Sequence, residues 1–382
     1  MSGLLTGRGL QADIRLGQVV ARVDWWLIGA ALALSVLGLF MIGAATAPTP
    51  DQVDVDALRL IKRQGIALVL GLSLGTVLAL IDYRTYRAWA PPAFVATLVL
   101  LLAVLLAGST INGAKAWISL GPIQIQPAEF AKITLIAMLA SHFHEYREEG
   151  LGLQALVEAL AIAIIPMLLI LAQPDLGTFL VFVAIVAGIL LVARVRWQYM
   201  GALTAMGVSA IWLVFSLNII KKYQIARLTA FLDPEHAPAD AIYNVKQAQI
   251  AVGNGGMFGK TLTHATQTSS GFVPENHTDF IFSVVGEQLG FFGALVMLIL
   301  YGIVFWRCFT IAANSRDTLG LLLCTGVICV FLFHMLIAVG MTIGVMPVTG
   351  LPLLFVSYGG TAMMMAWMLI GIVESVRIHR VV

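Results

Sequence analysis

A carboxylate with room to act stands in Pro274-Glu275-Asn276-His277-Thr278-Asp279-Phe280. The chain then turns apolar at once, with Ile281-Phe282-Ser283-Val284-Val285. Asp279 therefore sits at the mouth of an expected helix, at the end of a polar insert, where a membrane-borne substrate can reach it. A single carboxylate without an acidic partner suits a general base better than an acid/base pair. His277 lies two residues before it, and Glu287 eight residues after, deeper and better suited to a packing hydrogen bond. Thr278 and Asp279 also suit a helix cap.

Three further groups carry candidate chemistry. Glu129 and Lys132 are three residues apart, hence on one helix face and close enough to pair. Their pattern fits a self-neutralising ion pair, or a lysine facing an outer cavity to hold a phosphate with Glu129 orienting it. Asp175 lies between Gln173-Pro174 and Gly177, where proline and glycine make a turn and aspartate a good N-cap. Ser357-Tyr358-Gly359-Gly360 is glycine-rich, but it lacks the lysine of a phosphate-binding loop, which argues against a nucleotide.

The elements that must position these residues are membrane helices. Only 11% of the 382 residues are charged and 60% are hydrophobic, against about 25% charged in soluble domains. The net charge of +2 points to no nucleic-acid partner. The three cysteines have no paired or metal-ligating spacing. Crossing a bilayer takes about 20 apolar residues, all of them helical. Ten candidate spans follow: 24–46, 62–82, 91–108, 127–144, 155–172, 176–193, 197–217, 281–305, 318–340 and 350–375. The first is read as an uncleaved helix, because its apolar run exceeds that of a signal peptide.

Arginine sets the orientation. With the N-terminal segment 1–23 inside, Arg8, Arg15, Arg22, Arg84, Arg87, Arg147, Arg194, Arg196, Arg307, Arg316, Arg377 and Arg380 fall on the inner side. All lysines fall in the remaining group, and such outer cations fit ordinary loop solvation or a bound anion. Ten spans return the C-terminus to the cytoplasm and leave the 218–280 insert, between helices 7 and 8, outside. The expected fold is thus a single all-α polytopic membrane domain over 1–382. Residues 47–61 and 109–126 are expected as loops, and 241–252 as a short amphipathic helix at the interface. An outward cavity with one exposed carboxylate and several cations suits an enzyme on a lipid-linked anion, and equally a transporter of such a lipid.

Several motifs resemble the SEDS family (shape, elongation, division and sporulation). They are Asn112-Gly113-Ala114-Lys115-Ala116-Trp117-Ile118, Gln126-Pro127-Ala128-Glu129-Phe130-Ala131-Lys132, and Gln173-Pro174-Asp175-Leu176-Gly177-Thr178. Phe231-Leu232-Asp233-Pro234-Glu235 and His277-Thr278-Asp279-Phe280-Ile281-Phe282 add to them. Pro347-Val348-Thr349-Gly350-Leu351-Pro352 with Ser357-Tyr358-Gly359-Gly360 completes the set, which covers about residues 24–376 in order. The Tyr223-Gln224 and Asp233-Pro234-Glu235 context resembles the elongation branch more than the division branch. The chain departs from the family at Ala128 (usually Ser), Thr261 (Gly), Ala338 (Asn), Leu354 (Pro) and Thr361 (Ser).

The resemblance implies a bacterial cytoplasmic-membrane glycosyltransferase that polymerises lipid II into β-1,4 glycan for cell elongation and rod shape. It implies Asp279 as the catalytic base of an inverting transfer. Substrate-binding candidates are Lys132, Glu129, Trp117, Lys115, Arg63, Arg227, Asp175, His277 and Ser357. Of these, Lys132, Arg63, Lys115 and Arg227 would meet the leaving diphosphate, with a divalent ion (Mg or Mn) allowed beside them and no protein-built metal site. Trp117 would stack on a sugar or serve as a plain interfacial aromatic. The implied partners are a class B penicillin-binding protein and other elongation-complex membrane proteins. The competing reading is a lipid II flippase or a scaffold, which would need polar residues continuing inward along the spans.

Overall fold

A computed structural model describes residues 21–46, 57–111, 114–120, 123–146, 152–216, 231, 233, 239–260, 267–268 and 272–381. Arg227, Lys221, Lys222 and Thr261 lie outside the described residues, as does much of the 218–280 insert. The helices are α1 (Trp25–Ala45), α2 (Ala57–Leu80), α3 (Tyr86–Ala107), α4 (Pro127–Glu145), α5 (Leu153–Ala172), α6 (Leu176–Val192) and α7 (Trp197–Ser216). They continue with α8 (Ala239–Asn254), α9 (Ile281–Ala313), α10 (Thr318–Thr342) and α11 (Gly360–Ile378). Each of the ten expected spans overlaps a helix. Among the described residues, seven helical segments are long and apolar enough to cross a membrane: α1, α2, α3 with its leading turn, α5, α9, α10 and α11. The polytopic helical membrane fold therefore holds, and α8 is the short helix expected near 241–252.

Two expectations change. Residues 109–126 are not a plain loop but a three-stranded antiparallel sheet: β1 (Ser109–Ile111), β2 (Ala114–Leu120) and β3 (Ile123–Ile125). Residues Ala114 to Leu120 alternate small or apolar with polar or aromatic side chains, a period of two that strand pairing rewards. Ser109 faces Trp117 and Ser119 faces Gln124 across the ladders. The fold is thus not strictly all-α.

The last helix also starts at Gly360, not near 350. Residues 343–359 form an irregular segment, hereafter the inner loop. Gly350 (φ 76°) and Phe355 (φ 70°) adopt left-handed backbone that a helix cannot contain. Leu351, Leu353, Leu354, Phe355, Val356 and Ser357 are nonetheless buried. Buried non-helical backbone survives only if protein groups satisfy it. Here Gln64 donates to the Ser357 carbonyl and accepts from the Gly359 amide, at 3.1 Å each. Tyr301 donates to the Leu354 carbonyl. The Ser357 hydroxyl accepts from the Leu353 amide at 2.9 Å.

Small residues let the surrounding helices close in. A Cβ on Gly71 of α2 would lie 3.1 Å from Met364 Cα on α11, and one on Gly75 would run into the Trp367 carbonyl. Such close approach is how helices gain packing energy in lipid, where burial from water does not separate them. A Cβ on Gly38 of α1 would stand 2.6 Å from the Val356 carbonyl, so α1 presses directly on the inner loop.

The opposite end of the bundle is tied by charge. Buried Asp24 caps α1 and receives Arg307 of α9, at 2.5 Å, and Arg377 of α11. Glu374, also buried, accepts the Asp24 amide at 3.1 and 3.2 Å. Tyr83 donates to Asp317 at 2.9 Å, ahead of α10. These arginines are the ones the positive-inside rule places together, so the two ends separate as the orientation argument requires.

Gly65 and Gly75 make a controlled pair on α2, since a Cβ on Gly65 meets nothing within 4 Å. Gly75→Leu should destabilise the protein by about 1–3 kcal/mol, the usual cost of overpacking. Gly65→Leu should leave the thermal midpoint in detergent or nanodiscs close to wild type.

Candidate active site

Asp279 enters the fold on a turn, not on the helix. Residues 274–280 form a run of turns, with Glu275 in left-handed backbone (φ 51°). The Thr278 and Phe280 amides both return to the Glu275 carbonyl at 3.2 Å. Phe280, not Thr278 or Asp279, occupies the N-cap position of α9, and its side chain forms no cap. Asp279 is half-buried, and Gly350 of the inner loop faces it: a Cβ there would stand 3.4 Å from Asp279 Oδ2. A glycine at this point keeps the space beside the carboxylate open.

His277 joins the same seam. Its carbonyl accepts the Tyr358 amide at 2.8 Å, and its ring lies 5.8 Å from the Tyr358 ring. Burial holds its imidazole below the usual histidine range, against the opposing pull of the Glu275 carboxylate. Ser357, with its hydroxyl held by Leu353, shapes the loop from within.

Lys132 does not face an open cavity. It is fully buried, with its ammonium 2.7 Å from Glu129 Oε1 and 3.1 Å from His334 Nε2. A charge taken out of water needs a partner, which answers to the ion-pair reading. His334 Nδ1 lies 2.9 Å from the Pro352 carbonyl, so this buried chain ends on the inner loop. Glu129 Oε2 and Thr349 Oγ1, both buried, have no hydrogen-bond partner among the described residues.

Asp175 caps α6, accepting from the Thr178 amide at 2.9 Å and its hydroxyl at 2.8 Å, and from Gln126 Nε2 at 3.0 Å. Two residues on, a Cβ on Gly177 would stand 2.9 Å from the Thr349 carbonyl, so α6 also abuts the inner loop. Arg63 is half-buried beside the loop-binding Gln64. The inner loop thus meets Asp279 at Gly350, His277 at Tyr358 and the Glu129–Lys132 pair through His334, with Ser357 inside it. Lys115 and Trp117 sit on the sheet instead. The Lys115 ammonium donates to the Leu106 carbonyl at the end of α3, at 2.9 Å, and the Trp117 carbonyl accepts from Ser109 at 3.1 Å.

Glu287 holds the lead-in to Asp279. It accepts from Asn254 Nδ2 (3.1 Å), the Gln267 amide (2.9 Å), the Thr268 amide (2.8 Å) and the Thr268 hydroxyl (2.7 Å). Just below, α9 breaks at Gly290 (φ 67°). The Phe291 and Phe292 amides there donate to Gly256 and Met257 at 2.9 and 3.2 Å, and Lys260 donates to the Glu287 carbonyl at 2.9 Å. Gly255 and Gly259 allow this insertion, because a Cβ on either would collide with the α9 backbone. An apolar cavity of about 420 Å³ opens alongside, lined by Val252, Phe282, Gly286, Phe291, Leu295 and Ile343.

Sequence reasoning did not assign His334, Gln64 or Tyr301 to the site, nor Asp24 and Glu374 to the opposite cluster. A polar residue inside an apolar run was the available signal for each. Among the described residues no group of three or more His, Cys, Asp and Glu is placed to hold a metal ion.

Comparison with known proteins points one way. The family described as Cell cycle protein, which takes in FtsW, RodA and SpoVE, matches residues 24–381. The chain is 35% identical to the peptidoglycan glycosyltransferase MrdB of Escherichia coli K12, over 91% of this chain and 93% of that one. It superposes with a TM-score of 0.79, at 31% identity, on a chain of a peptidoglycan synthase complex studied for coordination of polymerization and crosslinking, covering 94% and 98% of the two chains. The Thermus thermophilus rod shape determining protein RodA gives a TM-score of 0.69 at 30% identity, covering 94% and 97%.

Asn254, Gln267 and Thr268 all donate to the Glu287 carboxylate, so an amide in its place would turn one N–H against another. Glu287→Gln should lower stability by about 1–3 kcal/mol despite its near-identical shape. Thermal melts, with limited proteolysis of the 239–280 region, would read the loss.

Proposed function

We propose that this chain, which belongs to the SEDS family of cell cycle proteins, is a peptidoglycan glycosyltransferase of the RodA type, acting in elongation. It is a multi-pass membrane protein, and its substrate is the lipid-linked disaccharide lipid II, used at the outer face of the cytoplasmic membrane. The observation that carries the mechanism is Asp279: a half-buried carboxylate at the mouth of α9, beside a glycine that leaves its flank open.

Asp279 accepts the proton of the acceptor sugar 4-hydroxyl as that oxygen attacks C1 of the donor sugar. The C1–O bond to the diphosphate breaks, and undecaprenyl diphosphate leaves with the electron pair. An α-linked donor becomes a β-1,4 link in one displacement, which needs one base and no covalent sugar intermediate, as in inverting hydrolysis. The leaving diphosphate carries its own charge away, so it needs cations and not an acid. Arg63, half-buried and one residue before Gln64 on α2, is a candidate for that role. Lys132 acts from inside the protein, and Lys115 and Trp117 from the sheet. Arg227, Asp175, His277 and Ser357 complete the candidate set. The apolar cavity beside Phe282 suits a polyprenyl tail. The synthase complex among the structural relatives supports a transpeptidase partner, a class B penicillin-binding protein, together with other elongation-complex membrane proteins.

Transport of the same lipid is less well supported. A headgroup path would need polar side chains through the bundle. Among the described residues the buried charged side chains fall into two groups: Glu129, Lys132 and Glu287 towards one end, Asp24 and Glu374 towards the other. Tyr301, Cys324, Val327 and Phe331 pack in the apolar core that fills the bundle.

Asp279→Asn should give a folded protein whose polymerisation of purified lipid II, with its transpeptidase partner present, falls by about 10²–10⁴-fold. Glycan made by that variant at wild-type rates would remove Asp279 as the base.

A further inference from the structure

His334 lies in α10, fully buried, eight residues before the helix ends at Thr342. It bonds on both sides. Lys132 Nζ is 3.1 Å from Nε2, and the Pro352 carbonyl is 2.9 Å from Nδ1. A lysine ammonium has only donors, so Nε2 must accept. A carbonyl has only lone pairs, so Nδ1 must carry the proton. The two partners together leave one tautomer of a neutral ring. Glu129 Oε1 lies 2.7 Å from the same ammonium, so Lys132 is held between the carboxylate and the ring.

We propose that His334 is a positioning residue for the transfer: Lys132 fixes its tautomer, and the ring pins Pro352, which stands the Gly350–Pro352 turn against Asp279. The inference rests on the glycosyltransferase reading and adds a role for Lys132 that requires no contact with the diphosphate. The chain of contacts is short. Pro352 is two residues from Gly350, whose left-handed backbone sets the space beside Asp279 Oδ2. Proline's fixed φ removes one of the rotations that could absorb a displacement of its carbonyl before Gly350. The neighbouring Leu353 amide is held by the Ser357 hydroxyl at 2.9 Å, so the peptide unit joining Pro352 to Leu353 is bonded at both its carbonyl and its amide. The element that bears the base is tied to the far end of the same loop by the His277–Tyr358 backbone bond, and its lead-in at Thr268 is held by Glu287. His334 holds the other part of the loop, at Pro352, next to Gly350 and Asp279.

A double-mutant cycle tests this. Lipid II polymerisation is measured for wild type, His334→Leu, His334→Gln, Lys132→Met, the Lys132→Met/His334→Leu double variant and Asp279→Asn, each first shown to be folded by its thermal melt. Glutamine can accept from Lys132 with its oxygen and donate to Pro352 with its nitrogen, whereas leucine does neither. The expected result is a loss in kcat of about tenfold or more for His334→Leu, with KM for lipid II near wild type, since misplacement by an ångström is enough for such a loss. His334→Gln should recover most of that loss. In the Lys132→Met background, His334→Leu should add little, because the tautomer is already unfixed. A folded His334→Gln as impaired as His334→Leu would overturn the proposal, and so would additive losses in the cycle. Should His334→Leu fail to fold, His334→Gln alone still decides: an active variant supports the proposal and a folded, inactive one sinks it. Glycan from Asp279→Asn would overturn the base assignment and this proposal together. A dead Asp279→Asn with an additive cycle would overturn the His334 role alone.

Discussion

Residues 351 and 353–357 are buried within the non-helical segment 343–359, and their backbone groups cannot be left to lipid. Much of the surrounding structure answers that need. Gln64 reaches in from α2, Tyr301 from α9 and His334 from α10, each spending a polar side chain on the loop backbone. Glycines at 38 and 177 bring α1 and α6 against its carbonyls. An unmet buried carbonyl or amide costs about 1–3 kcal/mol, more than a typical single contact returns. The loop is consequently a fixed point, and the side chains that hold it converge on one place by necessity. The candidate active site occupies that place.

The base-bearing segment is built by the same logic from the other side. Asp279 precedes α9 on a turn whose Asn276 reaches the Thr268 carbonyl, and Thr268 is itself held by Glu287. The break at Gly290 exposes two amides, and the Gly255–Lys260 strip satisfies them. That strip is thus docked into the helix that follows it, and Asp279 stands between these contacts and the pinned loop. A base held in this way needs little rearrangement as charge moves during transfer. At the opposite end, Asp24, Arg307, Arg377 and Glu374 tie the first helix to two late ones without contributing to the site.

Helix positions were largely legible in the sequence, because a 20-residue apolar run has few alternatives in a membrane. Asp279 was legible too, as a carboxylate at a helix mouth. Three features were not. The 109–126 segment folds as strands, since its short alternating run carries far less signal than a span. The inner loop reads as apolar and so merged with the last helix. Its left-handed residues depend on long-range partners such as Gln64, nearly 300 positions away, which no local pattern announces. The glycines near 255–259 were legible as turns, yet their second role is to let backbone approach backbone. Lys132 was placed on the right face, but only the fold shows that His334 and Glu129 enclose it. The departures at Ala128, Ala338 and Leu354 are all buried and leave Asp279 untouched.

The central claim is that the inner loop keeps Asp279 in working position through Gly350. It is tested most directly by the turnover of purified Gly350→Ala on lipid II, with its melting behaviour measured alongside. Alanine adds one methyl group 3.4 Å from the Asp279 carboxylate and strains a left-handed residue, at a cost of about 1–3 kcal/mol. The account predicts a folded protein with turnover reduced by about tenfold or more. A folded Gly350→Ala that polymerises at the wild-type rate would contradict it.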